Sequence, residues 1–238
     1  MEIDYDVCML DSGAVLVCEQ SDGNLKQWAK DYFILGVDIM NQYAKKSSRV
    51  IASLTQVIEN MVDAHDPLSA GHQREVALLA KSIAQEMSGD DDFINCVFMA
   101  AQIHDVGKIM IPHEILTVPG RLNNMQQTVV KRHPQTGYAM LEPLDFPWDI
   151  GKVIYQHHER LDGTGYPQGL SGDQTLLESK ILAVADVVQA MVSKRPYHTA
   201  VSVEKAIEEL EAKKGKLYDS EVVNTYVSLV KRANARCN

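Results

Sequence analysis

Two segments of this chain set residues able to do chemistry at close quarters. One is His157-His158-Glu159-Arg160-Leu161-Asp162-Gly163-Thr164-Gly165-Tyr166-Pro167, and the other, upstream, is His104-Asp105-Val106-Gly107-Lys108. Three imidazoles, several carboxylates and a lysine at these spacings suit a metal-bound phosphate. A lone His-Asp pair is more often capped or hydrogen-bonded than metal-ligating, so the elements around it decide. Phe93, Val97 and Ala100 precede His104 at steps of four, three and four. That spacing predicts a helix that buries the stripe and carries His104 inward, with Lys108 one turn further along the same face. A buried ammonium is costly without an anionic partner, and a substrate phosphate explains it more sharply than a carboxylate does.

The remaining histidines follow the same logic. His72 heads the series Val76, Leu79, Ile83 and Met87, which places it on the core face of a helix. His157 and His158 follow Ile150, Val153 and Ile154, with Pro147 suited to the helix start. Adjacent residues on a helix point about 100° apart, so both rings reach one site only if more than one metal lies between helices. Asp186 sits inside the apolar run Ile181 to Val188, where an ionised carboxylate needs a metal, a cation or several donors. The run from Asp162 to Pro167 is rich in turn-formers and reads as a loop at the rim of that site.

Taken together and in order, these elements resemble the HD-GYP domain, a branch of the HD metal-dependent phosphohydrolase superfamily. The likeness covers roughly residues 55 to 235: Gly71-His72, His104-Asp105 with Gly107-Lys108, Lys131-Arg132-His133-Pro134, His157-His158-Glu159, Asp162-Gly163, Gly165-Tyr166-Pro167, Val184-Ala185-Asp186 and Arg195-Pro196-Tyr197. The resemblance implies an all-α, HD-type helical bundle. It also implies a cyclic di-GMP phosphodiesterase that yields linear pGpG, with GMP as an open second product. Its metal ligands carry over to His72, His104, Asp105, His133, His157, His158 and Asp186, and every position holds the required type. Imidazole and carboxylate without thiolate suit iron or manganese. Some members place a glutamate four residues before the first histidine and hold a third metal with it; here that position is Leu68, so two divalent ions are expected. Lys108, Tyr166 and Arg195 match residues near the bound nucleotide in relatives, and His198 stands where a basic side chain is common. Val118 and Gln189 depart from the pattern, which touches substrate affinity and the choice of base rather than the metals.

The chemistry expected of such parts is direct. Two ions about 3.5 to 4 Å apart hold a bridging water as hydroxide and clamp the attacking and leaving oxygens at phosphorus. Asp105 is the expected bridge, and Lys108 would stabilise charge on a non-bridging oxygen. Two other classes compete. A non-catalytic docking module that contacts a diguanylate cyclase would be marked by a lost ligand; a nucleotide or alarmone hydrolase would lack the paired histidines and Gly-Tyr-Pro. Within the leading reading, cyclic GMP-AMP remains open because no residue reads the base.

The frame is a chain of 238 residues, 45% hydrophobic and 23% charged, ample for one core with a small appendage. A net charge of −9 argues against DNA or RNA binding, which needs a broad basic surface. An anionic dinucleotide would then be captured locally, by metals, Lys108, Lys194 and Arg195. Cys8, Cys18, Cys96 and Cys237 show no metal spacing, and no signal peptide or membrane span is visible, so a cytoplasmic setting is expected. The expected division is 1–64, a small N-terminal β-hairpin and long linker helix, and 65–238, the phosphodiesterase domain. Helices are expected near 70–87, 92–108, 123–132, 134–142, 147–158, 175–192, 200–213 and 219–234. Val50, Leu54, Val57 and Met61 repeat at steps of four, three and four. That is the seam of a short coiled coil through which two chains could pair, or else the packed face of a helix lying on its own domain. A sensory protein is the other partner class expected.

Overall fold

Apolar periodicity and polar caps decide where the helices lie. The computed structural model describes residues 5–9, 15–19, 50–88, 90–193 and 200–237, and they divide into two units, Met1–Ser53 and Leu54–Asn238. In the first unit, β1 (Tyr5–Met9) and β2 (Val15–Glu19) pair antiparallel, with Val7 opposite Val17. Most of the expected linker helix, and the residues 10–14 between the strands, lie outside the described residues.

A helical run over 50–65, α1, leads into the second unit. There its buried residues are Thr55, Glu59 and Val62, and Ile58 packs against the core. Leu54, Val57 and Met61 are each more than half exposed, so the apolar seam is not the face that packs on its own domain. The division at Ser53/Leu54 falls before the expected boundary at 64/65 because that buried face belongs to the second unit's core.

The bundle then runs α2 (His72–Met87), α3 (Asp91–Ile103), α4 (His113–Leu116), α5 (Asn124–Val130), α6 (His133–Leu141), α7 (Ile150–Gln156), α8 (Leu177–Val192), α9 (Val203–Lys213) and α10 (Ser220–Cys237). Starts follow capping chemistry. The Asp90 side chain accepts from the Asp92 N–H, Asn123 and Gln126 form a reciprocal capping box, and Ser202 accepts from the Lys205 N–H. Helix α2 packs on α3 and α8, while α6 packs on α7 and on a 3-10 turn at Val106–Met110. Val76, Ile83, Val97, Ala100, Ile154, Ile181, Leu182 and Val184 are fully buried, so α8 runs through the middle of the core.

Two expectations about these helices are corrected. Helix α3 does not reach 108. It ends at Ile103, and Asp105, at φ −94° and ψ 9°, turns the chain into the 3-10 segment that carries Lys108. His104 and Lys108 therefore share no helical face; the Lys108 N–H bonds to the Asp105 carbonyl at 2.8 Å instead. Similarly, α7 stops at Gln156, so His157 occupies the helix C-cap and His158 lies beyond it. Among the described residues no helix is long and apolar enough to cross a membrane.

Candidate metal centre

Helix ends supply most of the candidate ligands. His72 opens α2, His104 caps α3, His133 opens α6 and His157 caps α7, while Asp186 comes from the middle of α8. A helix terminus leaves backbone groups without partners inside the helix, and three of these histidines use them. His104 Nδ1 lies 2.8 Å from the Ala101 carbonyl, His133 Nδ1 2.8 Å from that of Val130, and His157 Nδ1 2.5 Å from that of Ile154. A carbonyl oxygen only accepts, so each Nδ1 carries the proton and each Nε2 presents a lone pair. This is the orientation that a metal-ligating imidazole requires.

All seven sequence-selected candidates converge. Ligand atoms of His133, His157 and His158 lie within 4.8 Å of one another, as do those of His72, His104 and Asp186, and those of His104, Asp105 and His157. Asp105 faces several directions: its Oδ1 is 3.3 Å from His133 Nε2, and its Oδ2 is 3.5 Å from His104 Nε2 and 2.8 Å from Lys108 Nζ. Asp186 Oδ1 is 2.9 Å from His72 Nε2 and its Oδ2 4.0 Å from His158 Nδ1.

The electrostatics of the cluster are those of a cation site. Burial alone would raise the Asp105 carboxyl, but Lys108 and the rings of His104, His133 and His157 outweigh it and hold it well below the usual carboxylate value. Burial likewise acts against Asp186, and the hydrogen bond from His72 together with His104 overcomes it, so this carboxyl is also held well down. Burial pushes His157 down to about 3, helped by His104 and His133. Burial lowers His133 and His158 in the same way. Yet His133 Nε2 and His157 Nε2 stand only 3.3 Å apart. With both Nδ1 atoms protonated and both rings neutral, two lone pairs face each other across that gap, a repulsive arrangement that a cation between them relieves. Among the described residues, no hydrogen-bond partner meets the buried His72 Nδ1. The donor set thus fits divalent ions bound through imidazole and carboxylate.

Other groups position the ligands, and two of them, Asp66 and Gln73, gave no sequence signal. Lys108 is clamped by two carboxylates, Asp105 and Asp66, the latter at 3.1 Å. Burial would lower its ammonium, and those carboxylates raise it above the ordinary lysine value. Asp66 is buried and was not anticipated. Gln73, fully buried, accepts the Asp105 N–H at 3.3 Å. Gly107 has no room for a side chain, since a Cβ there would lie 2.0 Å from the His133 carbonyl oxygen. Glu159, also buried, accepts the backbone N–H groups of Gln168, Gly169 and Leu170 at 2.7, 3.2 and 3.0 Å and so pins the loop after α7. A Cβ on Gly165 would meet Glu159 Cα at 2.4 Å, which fixes glycine in that loop. Tyr166 stacks on His158 with centroids 4.7 Å apart and planes at 29°. Arg195 and His198 lie outside the described residues. A cleft of about 280 Å³ opens beside His72, between Leu68, Glu75 and Ser193.

The family described as HD domain matches residues 56–222, and these residues contain every buried ligand named above. The chain belongs to the HD-domain family. It is 35% identical over 187 residues to the cyclic di-GMP phosphodiesterase response regulator RpfG of Xanthomonas campestris, covering 78% of this chain and 48% of that protein. It is 34% identical over 179 residues to the 3'3'-cGAMP-specific phosphodiesterase 1 of Vibrio cholerae, covering 74% of this chain and 41% of that protein. The chain therefore spans less than half the length of these curated relatives. Among solved structures, Bd1817 of Bdellovibrio bacteriovorus, a HDG"Y"P protein, superposes with a TM-score of 0.56 at 20% identity, covering 69% of this chain and 52% of that one. That likeness carries the fold of the HD domain.

Proposed function

We propose that this HD domain is a metal-dependent phosphodiesterase of cyclic dinucleotides, with cyclic di-GMP as the leading substrate, linear pGpG as first product and GMP as a further one. The observation that carries the reading is the pair of buried imidazoles, His133 and His157, whose Nε2 atoms face each other at 3.3 Å amid five more ligand-type side chains. His72, His104, Asp105, His133, His157, His158 and Asp186 would hold two ions of iron or manganese, Asp105 being shared. When bound, such a pair supplies a hydroxide nucleophile at neutral pH and Lewis-acid stabilisation of phosphoryl oxygens.

The chain's own residues do the rest. Lys108, held by Asp105 and Asp66, retains a third N–H direction for a non-bridging phosphoryl oxygen, where a preorganised donor lowers the barrier. Tyr166, Arg195 and His198 contact the nucleotide, Tyr166 from its place on His158. The His104 and His157 rings are kept from turning by carbonyls of their own helices and the His133 ring by the last carbonyl of α5, so the ligand atoms need no rearrangement. Cyclic GMP-AMP is the second substrate reading, favoured by the Vibrio relative named for it. A docking module for a diguanylate cyclase or sensory partner ranks below both, because no ligand position is lost. Homodimerisation through the α1 seam and a cytoplasmic setting complete the proposal.

Metal analysis of anaerobically purified protein, with turnover of cyclic di-GMP and 3'3'-cGAMP measured under iron, manganese and zinc, tests it. About two metals per chain and hydrolysis of one dinucleotide are expected. Loaded protein that binds a dinucleotide without cleaving it would establish the docking module instead.

A further inference from the structure

A cyclic dinucleotide carries two phosphodiesters, and a single metal centre can engage one for reaction. The other must meet a cation elsewhere, because this chain carries a net charge of −9 and its centre already holds Asp66, Asp105 and Asp186. Three cationic side chains among the described residues border the site. Lys108, held by Asp105 and Asp66, is assigned to the reacting phosphate. Arg160 donates Nη1 to the Glu159 carbonyl at 2.7 Å and sets its guanidinium 5.3 Å from the centre of the Tyr218 ring. Lys131 differs from both.

Lys131 follows α5, a helix with no buried residue, and is itself exposed, so packing does not explain its position. Its Nζ lies 5.3 Å from the centre of the Tyr166 ring, and among the described residues no carboxylate pairs with it. Tyr166 in turn stacks on His158. Lys131 also precedes His133 by two residues, so its backbone is anchored at one ligand and its side chain at the ring beside another. An exposed cation–π contact is weak and leaves the ammonium able to exchange the ring face for an anion.

We propose that Lys131 is a substrate-binding residue that receives the non-reacting phosphate of the dinucleotide at the rim of the centre. The assignment rests on the phosphodiesterase reading. It gives Tyr166 a second role, holding the cation at the rim, and it makes recognition depend on a substrate with two phosphates at fixed separation.

The test uses the full metal-loaded chain and two variants, Lys131→Met, which removes the charge and keeps the apolar stem, and Lys131→Arg. Cyclic di-GMP turnover in Lys131→Met is expected to show KM raised about 10-fold with kcat changed far less, as for loss of one charge-assisted contact outside the reacting phosphate. The rise of KM with salt should flatten in that variant, and Lys131→Arg should restore most of the affinity. An unchanged KM in Lys131→Met, or an arginine variant no better than the methionine one, overturns the assignment while parent turnover leaves the enzyme reading standing. Should the parent bind cyclic di-GMP without cleaving it, the enzyme reading fails, and Kd measured on the same proteins still decides Lys131: about 10-fold weaker binding in Lys131→Met supports it, equal binding refutes it.

Discussion

At the scale of single residues, Lys108 is the group whose environment most changes its reading. The sequence offered a phosphate as its anion; the structure adds two carboxylates, Asp105 and Asp66, on the same ammonium. Replacing it with methionine leaves Asp66 buried without its cation and takes one partner from Asp105, and removal of one partner from a buried ion pair costs about 3–5 kcal/mol. Thermal melts of Lys108→Met should show that loss, and Asp66→Asn in the same background should recover part of it; independent, additive effects would refute the triad. Asp66 could not be found beforehand because it lies in a short Pro-containing turn with no periodicity to link it to Lys108. Apolar helical spacing pointed to His72, His104, His157, His158 and Asp186, whereas His133 was legible only through the resemblance to the HD-GYP domain. Cys96 gives a second expectation. Burial pushes its thiol up to about 12, with Glu178 and Asp149 adding to the effect. Its thiolate is therefore scarce across the physiological range and grows only as pH approaches that value. Peptide mapping after iodoacetamide treatment of native protein at pH 8 should find Cys96 unmodified, and rapid labelling there would contradict the assigned burial.

At the scale of elements, helix ends matter more than helix faces. The apolar stripe Phe93, Val97, Ala100 correctly marked the buried side of α3, yet nothing in it foretold the stop at Ile103, because Val106 continues an apolar pattern past the break. The break is steric as much as local: Gly107 lets the 3-10 turn touch the His133 backbone, and a continued helix would carry it elsewhere. The loop after α7 is similar. Its turn-formers were legible, but the buried Glu159 that gathers three of its N–H groups read only as part of a motif. Glu159→Ala removes the carboxylate those part-exposed donors share, and a hydrogen bond to a charged group contributes at most about 1.5–3 kcal/mol. Hydrogen exchange should then accelerate at the Gln168, Gly169 and Leu170 amides while the His104 region keeps its protection; uniform acceleration would point to global loss of fold instead.

At the scale of the whole molecule, the second unit is a helical HD domain built around α8, with the candidate metal centre where four helix termini meet its Asp186. The outward seam of α1 belongs to the same scale. Leu54, Val57 and Met61 are exposed at 59%, 53% and 54% at coiled-coil spacing, and the positions between them carry no exposed charge. In the proposed homodimer, Leu54→Glu with Val57→Glu should convert a dimeric mass to a monomeric one in sedimentation equilibrium, with metal content kept; a mass that does not respond would place any contact between chains elsewhere. The Nδ1 anchors of His104, His133 and His157 carry a different kind of consequence. Their acceptors are the main-chain oxygens of Ala101, Val130 and Ile154, which every amino acid possesses. Genetic drift at those three positions can therefore alter the packing around the centre but cannot delete the groups that aim its ligands. The aim of the rings is inherited with the helices rather than with any particular neighbouring side chain, and a lineage could change most of the surroundings and still keep three imidazoles pointed at the same place.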